Sequence, residues 1–384
     1  MQVPSDNAIV RGVGQTDYSR ESGRTVTYLA VQAAVEAARD AGLDVRDIDG
    51  VVAFPHSVAA EDLVSNLGLR RLRFSSTVAM GGASSVAAVG QAALAIESGR
   101  AHHVLVVRAR NGNSGGRIHQ RPSQLPAQHM RTQLEHPYGL NTAAQRYAMI
   151  AQRYDYEYGL DRRALAEIAL AARSHANRNP AAMMHERELT MEKYLSGRMI
   201  ADPYTLYDCC LETDGACAVI VSGQGGPAPD VRVLAVAEGR PETPDDLTNR
   251  PDLLHIGLDG AAKEVWERIG LGPAEIDAAM IYDCFTFEVL HQLEAAGFAP
   301  EGLGSELVLG GGIRLGGQLP VNTHGGLLSE GHLSGLNHVV EGVRQLRADA
   351  PGRQVEGARH IAITGWGDLG DGSMAVLAGP GGAR

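Results

Sequence analysis

The sequence is poor in basic residues: 34 Lys and Arg stand against 45 Asp and Glu, for a formal net charge of -11. A chain charged in this way has no extended basic surface, which argues against nucleic acid as a partner. Long apolar runs are lacking as well. None approaches the roughly 18 residues that a membrane helix needs. The opening Met1-Gln2-Val3-Pro4-Ser5-Asp6 has neither a basic segment nor an apolar stretch behind it. The expectation is a soluble, cytoplasmic protein without membrane contact. Cysteine is scarce. The four, at 209, 210, 217 and 284, lie in apolar segments of a 384-residue chain, which excludes a disulfide framework and leaves reduced thiols. No CxxC or HExxH occurs, and the 14 histidines keep no zinc-ligand spacing, so no metal is expected.

The chain does have enough apolar content, 44%, to bury a sizeable core. Apolar residues at 26, 29, 30, 33, 34, 37 and 38 keep the spacing of a helix with one buried stripe, and Gly42 supplies its stop. Val51-Val52-Ala53-Phe54 then reads as a buried strand. A second unit repeats the plan, with a small-residue helix from about Ser84 to Ser98, a stop at Gly99 and the strand Val104-Leu105-Val106-Val107. Helices alternating with short apolar strands predict an α/β fold whose sheet is covered on its faces.

Two echoes predict that this unit is duplicated. Gly42-Leu43 precedes Ile48-Asp49 and a strand at the same offsets at which Gly270-Leu271 precedes Ile276-Asp277 and a strand. Asp214-Gly215-Ala216-Cys217-Ala218-Val219 matches Asp371-Gly372-Ser373-Met374-Ala375-Val376 in the same order. The Gly/Pro-rich segment from Gly223 to Asp230 is the natural seam. The first half carries an insertion, about 111–212. It opens with a Gly-, Ser-, Gln-, Pro- and Arg-rich loop to Pro137, a lid, a partner surface or a disordered segment. Two helices follow, Ala143 to Tyr158 and Arg163 to Asn177. Arg108, Arg110, Arg117, Arg121 and Arg131 make this region locally basic, either as a solvated face or as a contact for a ligand's phosphates or an acidic partner.

Six blocks, in order, carry a resemblance. They are Gly12-Val13-Gly14-Gln15-Thr16; Gly81-Gly82-Ala83-Ser84; the run from Ser196 through Asp208-Cys209-Cys210 to Thr213-Asp214-Gly215-Ala216; Tyr282-Asp283-Cys284-Phe285; Asn322-Thr323-His324-Gly325-Gly326; and Gly331-His332. Together they resemble the thiolase superfamily, within it the sterol-carrier-type thiolases and the bacterial lipid-transfer-protein aldolases that act on steroid side chains. The resemblance implies a thiolase-like five-layer αβαβα fold built from two duplicated halves, residues 1–225 with the insertion and residues 226–384. It also implies a homodimer, an acyl-CoA substrate, and a small acyl-CoA-binding partner with an OB-fold and a zinc ribbon. No cofactor is implied beyond the CoA thioester itself.

The resemblance also places a nucleophilic cysteine where this chain has Gly82, at a helix start that favours a thiolate. A second cysteine, the base of many thiolases, would fall in Gly365-Trp366-Gly367-Asp368-Leu369-Gly370-Asp371-Gly372, which has none. His332 matches the histidine that helps form the family's oxyanion hole, with Leu333 in place of the usual proline. Tyr282 stands where sterol-carrier thiolases have a histidine; it is read either as a proton donor or relay, or as a buried aromatic. Asp283 and Asp368 are acids near enough in sequence to orient His332 or take a proton, or else turn residues. Gly82 and Gly367 would offer backbone N–H groups to an oxyanion, with Asn322 and Gly326 beside the substrate. Three readings follow: a cysteine-independent retro-aldol cleavage of a β-hydroxyacyl-CoA, a condensing acyltransferase that uses a partner or another cysteine, and a non-catalytic acyl carrier.

Overall fold

In a computed structural model of the protein, the structure describes residues 8–115, 128–243, 247, 249–367 and 370–382. The first half runs β1 (Ile9–Gln15), α1 (Val26–Asp40), β2 (Gly50–Ala53), α2 (Ala60–Leu67), β3 (Phe74–Thr77), α3 (Ser84–Glu97) and β4 (His103–Asn111). The insertion holds α4 (Gln128–Leu134), α5 (Ala143–Tyr158), α6 (Arg162–Ala176), α7 (Met191–Leu195) and an antiparallel pair, β5 (Met199–Ala201) with β6 (Tyr204–Thr205). Strand β7 (Asp214–Ser222) completes the half. The second half repeats the order: β8 (Val231–Gly239), α8 (Gly257–Ile269), β9 (Ala278–Met280), α9 (Thr286–Ala295), α10 (Gly304–Leu309), α11 (Gly326–Ser329), α12 (Leu336–Leu346), β10 (His360–Gly367) and β11 (Asp371–Ala378).

The strands lie in the order β3-β2-β4-β7-β1-β8-β11-β10-β9. Within the first half, β2 pairs parallel with β3 and β4, and β7 runs antiparallel to β4 and β1. The second half keeps the same directions: β10 is parallel to β9 and antiparallel to β11, which is antiparallel to β8. A parallel bridge from Ala279 to Val321 takes the place that β3 has beside β2. The two half-sheets are joined along one edge by two residues of β1, Ile9 opposite Arg232 and Val10 opposite Val231.

Alternation along the strands sorts the interior into layers. On β7, Cys217, Val219 and Val221 share a core with Val104 and Val106 of β4, Ile361 and Ile363 of β10, and helices α3 and α12. The opposite faces, Ala216, Ala218 and Ile220 of β7 with Leu105 and Val107 of β4, pack on α1 and α2. A third core sets Ala362 of β10 and Ala235 of β8 against α8, α9 and the insertion helices α5 and α6. The outcome is five layers, with α3 and α12 in the middle one. Helix α1 lies close on β1 because Gly12 and Gly14 bear no side chain: a Cβ there would stand 2.2 Å from the Ala37 carbonyl and 2.3 Å from the Ala33 carbonyl.

Candidate active site

The middle layer brings the two halves' chemistry together at the N-terminal end of α3. The turn there is bolted from several sides. The Ser84 hydroxyl accepts the Met80 N–H at 2.8 Å, Ser85 donates to the Ser334 carbonyl at 2.6 Å, and Ser373 of β11 donates to the Ala83 carbonyl at 2.8 Å. Tyr282 comes to this turn from the second half, two residues past β9. Its buried ring fills the space that a side chain at Gly82 would need: a Cβ at 82 would lie 2.2 Å from the ring's Cζ and 2.3 Å from the Trp366 carbonyl. Gly335, at φ +84°, lies close as well: a Cβ there would meet the ring at 3.1 Å. Gly82 and Tyr282 are therefore one steric unit. Gly367 meets the same turn, since a Cβ on it would be 2.5 Å from the Gly82 nitrogen.

His332 lies in the loop between α11 and α12, buried, with its backbone N–H donated to the Thr213 hydroxyl at 2.9 Å. Its Nε2 is 3.3 Å from the Tyr282 hydroxyl. On the other side of the ring, Nδ1 faces Nη1 of Arg110 and Sγ of Cys210, each at 3.4 Å. Burial pushes the Tyr282 phenol well up, an effect reinforced by Cys284, Glu288 and Cys210. Desolvation pushes the Cys210 and Cys284 thiols up as well, so neither is poised as a thiolate. Cys284 donates to the Glu288 carboxyl at 2.8 Å. Among the described residues, no group of three or more His, Cys, Asp or Glu is placed to hold a metal.

The structure thus gathers Gly82, Gly367, Tyr282 and His332. It sets three other expected residues behind them. Asp283 accepts the Leu327 and Leu328 N–H groups at 2.7 and 3.3 Å, at the start of α11, and stands 3.2 Å from His338 Nε2, so it does not orient His332. Gly326, at φ +63°, is what lets that carboxylate in, because a Cβ there would fall 2.0 Å from Asp283 Oδ2. Asn322 spends both ends of its amide on the backbone of Ile281, accepting its N–H at 2.7 Å and donating to its carbonyl at 2.8 Å. This clamp fixes the backbone that carries Tyr282, so positioning rather than substrate contact is the part its geometry gives it. Asp368 lies outside the described residues, as do Arg117 and Arg121.

Arg110, Cys210 and Thr213 around His332 were not singled out by sequence reasoning. Arg110 is among the basic residues read either as a solvated face or as a contact for CoA phosphates or an acidic partner; it lies on β4 and is 3% exposed. The signal was its place in β4's period-two alternation, which shows only once the strand is seen to continue to Asn111.

Comparison with known proteins shows the family. Residues 239–379 match the model of the thiolase C-terminal domain-like family. The chain is 37% identical to a 17-hydroxy-3-oxo-4-pregnene-20-carboxyl-CoA lyase of Mycobacterium tuberculosis, over 94% of this chain and 96% of that one. It is also 37% identical to a steroid side-chain-cleaving aldolase of Thermomonospora curvata, over 90% and 92%. A solved Ltp2-ChsH2(DUF35) aldolase superposes with a TM-score of 0.92 at 33% identity, covering 98% of this chain and 99% of that one. The chain belongs to the thiolase superfamily, in the branch of the sterol-carrier-type thiolases and the bacterial lipid-transfer-protein aldolases.

Proposed function

We propose that the protein is an acyl-CoA aldolase that cleaves the Cα–Cβ bond of a β-hydroxyacyl-CoA without a covalent acyl-enzyme. The observation that carries this reading is the packing at Gly82: the Tyr282 ring fills the space that any side chain at position 82 would need, with His332 Nε2 3.3 Å from its hydroxyl. In the retro-aldol step the β-hydroxyl loses its proton, its oxygen becomes a carbonyl as the Cα–Cβ bond breaks, and the electron pair passes to the thioester as an enolate. A proton then returns to Cα. In this reading Tyr282 relays that proton, its oxygen taking the one from the β-hydroxyl as its own O–H gives one to Cα, while the His332 Nε2–H stabilises the phenol oxygen and the backbone N–H groups of Gly82 and Gly367 receive the oxyanion. The reaction is redox-neutral and asks for no cofactor beyond the CoA of the substrate. The relatives' names make a steroid side-chain ester the first substrate to try.

Tyr282→Phe and His332→Ala are expected to lower release of the carbonyl product from 17-hydroxy-3-oxo-4-pregnene-20-carboxyl-CoA by about 10²-fold or more, with unfolding midpoints close to wild type. Full turnover in both variants contradicts the reading. A second reading, the acyltransferase, draws on Cys210 Sγ lying 3.4 Å from His332 Nδ1, a thiol–imidazole pair. The desolvated, raised thiol weighs against it. Cys210→Ser separates the two readings, because aldolase turnover survives the change and acyl transfer through this thiol does not.

We also propose a homodimer and a small acyl-CoA-binding partner, in the cytoplasm where CoA esters are handled. Supporting the dimer, β3 closes one end of the sheet, with Ser75 and Thr77 exposed and the exposed Leu94 on the adjoining α3. Supporting the partner, the insertion exposes several large apolar side chains, among them Met149, Tyr156, Leu195 and Met199.

A further inference from the structure

We infer that Arg110 sets the tautomer of His332, holding the imidazole with its proton on Nε2 and aimed at the Tyr282 hydroxyl. The aldolase reading supplies the consequence of this assignment; the assignment itself rests on the arrangement of donors.

Among the groups that face the ring, three fix its hydrogen-bonding pattern. Tyr282 Oη lies 3.3 Å from Nε2, and Cys210 Sγ and Arg110 Nη1 lie 3.4 Å from Nδ1. A phenol and a thiol can each donate or accept, so neither decides where the imidazole proton sits. A guanidinium has five N–H groups and no acceptor. With an Arg110 N–H directed at Nδ1, that nitrogen must present its lone pair, and in a neutral imidazole the proton is then on Nε2. The Tyr282 oxygen accepts it. Having accepted from His332, the tyrosine is left with its own O–H to point into the site, which is the direction a proton relay to substrate requires.

Arg110 is built for a fixed orientation. It sits one residue before the end of β4, opposite Gly215 of β7, and is 3% exposed. Its guanidinium lies along Gly112, where a Cβ would come within 2.9 Å of Nε. The His332 backbone is held independently by Thr213, so the ring pivots about a fixed point while Arg110 governs which nitrogen bears hydrogen. Arg110 is thus a positioning residue, acting through His332 and not on the reacting atoms.

Long-range 1H–15N correlation spectra of the full-length, ligand-free enzyme labelled at histidine test the assignment directly, with the His332 signals identified by their loss in His332→Gln. The wild-type enzyme at pH 8 should show His332 as the Nε2–H tautomer. In Arg110→Met the Nδ1–H tautomer should gain population, and kcat on 17-hydroxy-3-oxo-4-pregnene-20-carboxyl-CoA should fall on the order of 10²-fold with KM changed by less than about twofold. Arg110→Lys, which restores a donor of the same charge, should recover part of both. An Nδ1–H or doubly protonated His332 in the wild type overturns the inference, whatever the variants do. So does an unchanged tautomer in both variants, or a rise in KM at constant kcat, which would make Arg110 a substrate-binding group. Because the spectra are read without turnover, the tautomer can fail while the aldolase reading stands, and the reverse.

Discussion

At Gly82 any side chain would have to displace either the Tyr282 ring or the Trp366 carbonyl. The ring could swing; the carbonyl belongs to β10, where Trp366 is paired with Gly372 of β11, and has far less room to move. Gly82→Ala should therefore lower stability on the order of 3 kcal/mol, as overpacking against rigid backbone does, and remove activity with it. Calorimetry of the variant checks this, and an unfolding midpoint equal to wild type would mean that the turn yields more easily than its contacts imply. This residue pair also marks how far the sequence could be read. The glycine at 82 and the tyrosine at 282 were each visible through resemblance to thiolases, but that one fills the other's space needs the end of β9 and the start of α3 placed together. Arg110 was hidden for a different reason. An arginine near a Gly- and Ser-rich segment reads as solvated, and only the inward face of β4 shows it buried.

The elements behind the site form a second tier. From Asp283, after β9, a row of buried side chains runs through His338 and His324 to Glu330, just past α11: His338 Nδ1 and His324 Nε2 are 2.9 Å apart, and His324 Nε2 is 3.7 Å from Glu330 Oε2. Asn179 and Asn337 each donate to Glu330, at 3.0 and 2.8 Å. Burial pushes Asp283 up and His324 well down, and it pushes Glu330 up to about 8. Glu330 therefore keeps its proton in the folded chain at pH values where the unfolded chain, with a glutamate near about 4.3, has lost it. Its contribution to stability is fully present below about pH 4.3 and is lost as pH rises toward about 8, at no more than about 1.4 kcal/mol per pH unit. Glu330→Gln keeps the neutral shape and removes the slope. Its stability relative to wild type should rise between pH 5 and pH 8 in urea unfolding; a constant difference would show that Glu330 is ionised in the fold. None of this tier was legible as a network. The Asn322-Thr323-His324-Gly325-Gly326 block stood out as a motif, but it showed as site residues what the fold uses as scaffolding, because hydrogen-bond partners as far as 151 positions apart leave no local pattern.

Across the whole molecule the duplicated plan was the most legible feature, since a repeated helix and strand leave matched periodicities that survive divergence. Less legible was where the copies meet: α3 from one and α12 from the other share the middle layer, and the site forms at that seam from residues of both halves. The β3 edge belongs to this scale as well. If β3 pairs with its counterpart in a second copy, the protein sediments as a dimer, and Ser75→Pro shifts it toward monomer; a wild-type monomer at micromolar concentration would contradict that pairing. The central claim is that carbon–carbon cleavage proceeds here without a thiol-bound acyl group. The most direct test uses the enzyme isolated from its own cells, so that any subunit it holds travels with it, incubated with 17-hydroxy-3-oxo-4-pregnene-20-carboxyl-CoA and no free CoA. The account predicts a ketone and a shortened acyl-CoA in equal amounts, with no acyl mass added to the protein. A requirement for free CoA, or an acyl adduct on Cys210, would contradict it.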